Sequence, residues 1–130
     1  MNTCVTFTSD LFMPFLPEDS QVNPNCYGAE LCWWLSRELA RKNIVTSYPN
    51  AEDWGWFLEF IEKGNEFWIC CGNIAGENTT WQIYIRGLAK GIFMWKYKPP
   101  MAIAKPVLKA IDLVLKETAG IHDIEWRKEV

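Results

Sequence analysis

The segment that most narrows the folds open to this chain is Glu52-Asp53-Trp54-Gly55-Trp56-Phe57-Leu58-Glu59-Phe60. Two carboxylates lead into two tryptophans around a glycine, and then into an apolar run. Side chains of an extended strand alternate between faces. The spacing therefore predicts Trp54, Trp56, Leu58 and Phe60 on one face, with Gly55, Phe57, Glu59 and Ile61 on the other. The wholly apolar face requires a core. The mixed face suits a sheet only partly covered on that side. Gly55, between two indoles, points to a bulge or to the close approach of another backbone.

Gly64-Asn65 supplies a tight turn, so 54–62 and 66–71 form a hairpin. On its second arm Phe67, Ile69 and Cys71 oppose Trp68 and Cys70. Trp81, Ile83 and Ile85 then alternate with Gln82, Tyr84 and Arg86. Consecutive hairpins imply a mostly antiparallel sheet. Shorter strands are expected at Thr3–Thr8, at Ile44–Tyr48 and at Ile121–Arg127, the last with Ile124 and Trp126 inward. Gly87–Pro100 reads as a short edge strand or an irregular flap.

Two stretches carry the helical period. Gly28–Lys42 places Leu31, Cys32, Leu35 and Leu39 on one stripe, with Asn43 as its terminator. Trp33 points nearly opposite, beside Arg37, where the proline-rich loop 9–27 covers it or a partner meets it. Met101–Ala119 gathers Ile103, Val107, Leu108, Ile111, Val114 and Leu115 on one side. Pro106 sets the start of this helix or kinks it, and Gly120 stops it. The expected fold is one α+β domain over residues 1–130. A single mostly antiparallel sheet carries both amphipathic helices on one face, in the order β-α-β-β-β-β-α-β.

Hydrophobic residues make up 49% of the chain, enough for a core at this length. The eight tryptophans exceed what a small core satisfies easily, because each indole N–H needs an acceptor. The net charge of −3 is unevenly spread: residues 1–77 hold eleven acids and four bases, while 78–111 hold six bases and no acid. An acidic face and a basic face are the consequence. The start of the chain lacks the basic and apolar regions of a signal peptide, and no run is long enough to span a membrane. With five cysteines, an odd number, these features fit reduced thiols in a cytoplasmic setting.

The usual marks of catalysis are sparse. The single histidine, His122, has Asp123 as its sequence neighbour, and adjacent strand residues face opposite ways. Gly72-Asn73-Ile74-Ala75-Gly76 lacks the lysine of a phosphate loop. There is no Cys-x-x-Cys pair, and one histidine does not complete a zinc site. No catalytic residue, metal or cofactor is expected. Glu52 or Asp53 acting as acid and base is the alternative on the enzyme side. Residues 90–98, with Trp95, Lys96, Tyr97 and Lys98, are the candidate for single-stranded nucleic acid. A pI of about 5.2 argues against the latter.

The pieces Gln21-Val22-Asn23-Pro24-Asn25-Cys26-Tyr27-Gly28-Ala29-Glu30-Leu31, Trp34-Leu35, Glu52-Asp53-Trp54-Gly55-Trp56 and Ile124-Glu125-Trp126 together resemble a family of small bacterial proteins of uncharacterised activity. The resemblance spans nearly the whole chain. It implies a bacterial, cytoplasmic setting and assigns no site. The residues themselves point to a non-catalytic binding or interaction module. Its surface is expected to comprise Tyr27, Trp33, Glu52, Asp53, Trp54 and Trp56. Its partner is another protein or a second copy. An inhibitor or immunity protein that masks a basic surface is one version, since acids steer a partner and indoles anchor it.

Overall fold

The computed structural model describes residues 1–13, 27–74, 78–92 and 95–128. The expectations for the prolines of 14–26, the turn at 75–77 and Phe93-Met94 lie outside the described residues. The elements run β1 (Cys4–Thr8), α1 (Ala29–Arg41), β2 (Asn50–Glu52), β3 (Gly55–Glu62), β4 (Asn65–Asn73), β5 (Thr80–Gly87), β6 (Lys90–Ile92), β7 (Trp95–Tyr97), a 3-10 turn (Met101–Ala104), α2 (Lys105–Glu117) and β8 (His122–Arg127). Six strands form one antiparallel sheet in the order β2-β3-β4-β5-β1-β8. The α+β class and the expected order hold. Within residues 87–100, Lys90–Ile92 and Trp95–Tyr97 pair antiparallel as β6 and β7.

Local chemistry accounts for the boundaries. Lys63 (φ 50°) and Gly64 (φ 74°) both lie at positive φ between the closing pair Glu62 and Asn65. That is the two-residue turn whose twist matches a hairpin. α1 buries Leu31, Cys32, Leu35 and Leu39. It ends with Asn43 at φ 64°. There the Asn43 N–H donates to the Ala40 carbonyl at 3.0 Å and the Ile44 N–H to the Leu39 carbonyl at 2.9 Å, which satisfies two otherwise orphaned acceptors. Pro106 sits in the first turn of α2, where its missing N–H costs nothing.

Val5, Phe7, Leu58, Phe60, Phe67, Ile69, Cys71, Trp81, Ile83 and Ile85 face the helices and form the core with the α1 and α2 stripes. Trp56, Ile124 and Trp126 pack at its margin. α1 lies over β3 and β4. α2 is tied to the far edge, where the Trp126 Nε1–H donates to Asp112 Oδ1 at 2.9 Å. Among the described residues no helix is long and apolar enough to cross a membrane.

Two expectations are corrected. Ile44–Tyr48 is not a strand. Ser47 touches β3 once, its N–H donating to the Glu59 carbonyl while its Oγ accepts from the Glu59 N–H. A side-chain oxygen thus takes the place of a ladder carbonyl, and regular pairing waits until Asn50. Trp54 does not share a face with Trp56. It occupies the Asp53-Trp54 turn closed by Glu52 and Gly55, and Gly55 at φ 150° breaks the alternation. The strand that follows, β3, is second from one edge, with α1 against it.

Candidate functional site

The sheet face turned away from the helices is assembled by register. Phe57, Cys70, Tyr84 and Cys4 lie opposite one another across β3, β4, β5 and β1. The neighbouring row is Glu59, Trp68 and Arg86. The three aromatic side chains among these seven, Phe57, Trp68 and Tyr84, are drawn together with Trp54 and Arg86. Phe57 stacks on Trp68 with centroids 3.8 Å apart and planes 19° from parallel. Trp54 folds back from the hairpin tip to lie 5.9 Å from Phe57 and 6.2 Å from Tyr84. The Arg86 guanidinium sits 5.7 Å from the Trp68 ring centroid, where the ring quadrupole attracts a cation. Trp68 Nε1 is buried with no acceptor.

Two glycines fix the corner from which Trp54 reaches. A Cβ built on Gly55 would lie 3.0 Å from the Cys71 carbonyl oxygen. One built on Gly28, at the entry to α1, would lie 2.7 Å from the same atom. The close backbone approach expected at Gly55 is therefore present, and the partner backbone is β4.

Of the residues expected to form one surface, Glu52, Asp53 and Trp54 stand together at the exposed β2–β3 tip. Trp54 is 37% exposed. Trp56 turns to the helix side and is half-buried. Tyr27 is buried in the core, with its N–H donating to Asn73 Oδ1 at 2.9 Å. Trp33 lies on the outer side of α1, 42% exposed and 5.6 Å from Tyr48. With Trp34, Glu30, Arg37, Leu11 and Phe12 it lines a separate hollow. Phe57, Trp68, Tyr84 and Arg86 complete the face and were not expected there. Their strand phases were available from the alternation of β4 and β5, but their adjacency depends on register.

Thiol chemistry is suppressed. Cys70 and Cys71 point to opposite sides of the sheet and are both buried. Burial pushes the Cys70 thiol from 9.0 up to about 12, helped by the Cys71 thiol and opposed by the Tyr84 hydroxyl and Arg86. Burial also drives Cys71 well above its usual range, with Cys32 adding to the effect. Tyr84 is raised to about 12, by burial first and then by Cys70. Below pH 9 folded and unfolded chains both hold these protons. Above it the unfolded chain releases its thiol protons first, while the folded chain retains them up to about 12. Stability is thus expected to fall from about pH 9 towards pH 12, with a slope near 1.4 kcal/mol per pH unit for Cys70 and a smaller share from the less buried Tyr84. Urea denaturation at a series of pH values measures this. The Cys70→Ala/Tyr84→Phe double variant should show a shallower decline, and an identical decline would remove the pair as its source.

Metal and acid–base constellations are not assembled among the described residues. No group of three or more His, Cys, Asp or Glu side chains converges. His122 and Asp123 are exposed. Glu52 and Asp53 line none of the described cavities. No family model matches this chain, and no curated protein or solved structure does so either.

Proposed function

We propose that this domain is a non-catalytic interaction module whose partner docks on the aromatic sheet face beside the acidic hairpin tip. The observation that carries this is the placement of Trp54. An indole is held over Phe57 and Tyr84, on the side without helices, and still keeps 37% of its surface exposed. Trp, Tyr and Arg are the residue types that dominate binding energy at protein interfaces, and all three are grouped here.

The chemistry of the rim favours a basic partner. Glu52 and Asp53 are exposed beside Trp54, and the first 77 residues carry a net charge of −7. Such a field speeds association with a positive surface. An inhibitor or immunity protein that masks a basic active surface fits this build. The same exposure weakens the enzyme alternative, because a tuned acid or base needs a pocket that excludes water.

Trp54→Ala tests the proposal. Trp54 lies in a turn outside the core, so the variant should fold with a melting temperature close to that of the wild type. With a partner captured and its contacts mapped by cross-linking, the variant should bind about tenfold more weakly or worse. Glu52→Gln/Asp53→Asn should slow association at low salt and matter little at high salt. Unchanged affinity in Trp54→Ala, or cross-links confined to the helix side, would overturn the assignment.

A further inference from the structure

We infer that the cleft between the end of β5, the start of β1 and the segment entering the 3-10 turn is a binding site for an anionic group of phosphate or carboxylate type. Thr3, Tyr84, Arg86, Lys98, Pro99 and Met101 supply its functional lining, around a volume of about 300 Å³. That volume suits one tetrahedral or planar anion with a short apolar extension.

The geometry is built by the chain. A Cβ placed on Gly87 would come within 3.0 Å of Pro99 Cγ and 3.1 Å of its Cδ. Only glycine therefore lets Pro99, which is buried, pack directly on the strand. The next residue, Pro100, is extended at φ −59°, ψ 132°, and Met101 then starts the 3-10 turn and packs against the core. Two successive prolines clamped in this way leave the Lys98 backbone little freedom. Lys98 thereby lines the same cleft as Arg86.

Two like charges lining one cleft make it attractive to an anion. Among the described residues no carboxylate lines this cleft, and the chain has no acid from Asn78 to Ile111. Arg86 rests on the Trp68 ring rather than on an acid, and neither Arg86 nor Lys98 forms an ion pair among the described residues. The missing charge is the one a ligand would bring. Arg86 offers a planar donor fork and Lys98 a point charge. Pro99 and Met101 give the anion's carrier an apolar wall. Arg86 and Tyr84 also belong to the aromatic face, so Lys98→Gln, which leaves that face intact, is the variant that separates this site from the proposed docking role.

Two-dimensional amide NMR titration with sodium phosphate, and separately with sodium acetate, tests the inference against sodium chloride at matched ionic strength. Saturable shifts are expected at Arg86, Gly87, Lys98 and Met101. Arg86→Gln should weaken that binding by about tenfold and Lys98→Gln by several-fold, as expected for loss of a charge-assisted hydrogen bond. Lys109→Gln, an exposed lysine outside the cleft, should change nothing. Saturation with phosphate alone identifies a phosphate-bearing ligand, and saturation with acetate a carboxylate. Shifts that stay linear with both salts, or that are spread over all lysines, overturn the site. Undiminished binding in both Arg86→Gln and Lys98→Gln does so too. If Arg86→Gln fails to fold, Lys98→Gln decides the matter alone, because Lys98 is exposed.

Discussion

Gly28→Ala is expected to destabilise the domain by about 3 kcal/mol or more, which would be among the largest effects of any one-atom change in the chain. Gly28 sits at φ 148°, a conformation that side-chain-bearing residues rarely adopt. A methyl there would stand 2.7 Å from the Cys71 carbonyl oxygen, 3.2 Å from its carbonyl carbon and 3.4 Å from the Gly72 Cα. All three atoms are backbone of β4, which is held by β3 on one side and β5 on the other. Nothing flexible can give way. The entry to α1 cannot retreat easily either. The Tyr27 N–H is bonded to Asn73 Oδ1, and the Gly28 carbonyl accepts the first helical bond from Cys32 at 2.9 Å. Domains of this size are stable by only about 5–15 kcal/mol, so a loss of this order is a large share of the total. Urea denaturation monitored by tryptophan fluorescence measures it. Gly55→Ala meets the same oxygen at 3.0 Å but lies beside a hairpin tip that can shift, so it should cost less. A Gly28→Ala midpoint close to that of the wild type would show that the start of α1 can slide off β4.

Much of this architecture is legible in the sequence because it is local. The alternation of Phe67, Ile69 and Cys71 with Trp68 and Cys70 gives the phase of β4, and Trp81 to Arg86 gives that of β5. Asn43, Gly64 and Pro106 mark boundaries through their own φ preferences and hydrogen-bonding limits. The misplacements have equally local causes. A strict period of two puts Trp54 on the face of Trp56, and Gly55 at φ 150° resets that period one residue later. Ile44–Tyr48 has strand composition, but Ser47 satisfies β3 with its hydroxyl instead of extending a ladder. What composition and periodicity could not supply is non-local. Strand β1 lies between β5 and β8, and no short-range signal places it there. The aromatic face draws Phe57, Trp68 and Tyr84 from three strands and is defined only once their register is. The cleft at Arg86 likewise needs Gly87 against Pro99, twelve residues apart in the chain. Glycine and proline break regular structure wherever they stand, but nothing local in the sequence brings these two together.

Trp81→Ala is expected to cost about 3–5 kcal/mol, the usual range for deleting a fully buried large aromatic. Trp81 has no exposed surface. It pairs with Phe7 on β1 and Asn73 on β4. It meets Phe12 edge to face, with centroids 6.0 Å apart and planes at 88°. Phe12 in turn packs 4.9 Å from Trp34 on α1, so one indole couples the sheet to the segment after β1 and, through it, to the helix. Its polar end is used as well. The Trp81 Nε1–H donates to the Ser9 carbonyl at 3.0 Å, while the Ser9 N–H reaches the Thr79 carbonyl at 2.8 Å. Trp81→Phe separates these contributions. It keeps most of the apolar volume and leaves a buried carbonyl without its donor, which costs about 1–3 kcal/mol. Denaturation of both variants should therefore give a graded loss, with Trp81→Phe folded and Trp81→Ala close to the limit of stability. The near-ultraviolet circular dichroism from the Phe12–Trp34 contact should weaken in parallel. If Trp81→Ala lost less than about 2 kcal/mol, below the range for such deletions, the segment after β1 would have to refill the space. The ordering of Ser9 to Phe12 would then be a consequence of their own packing and not of the indole.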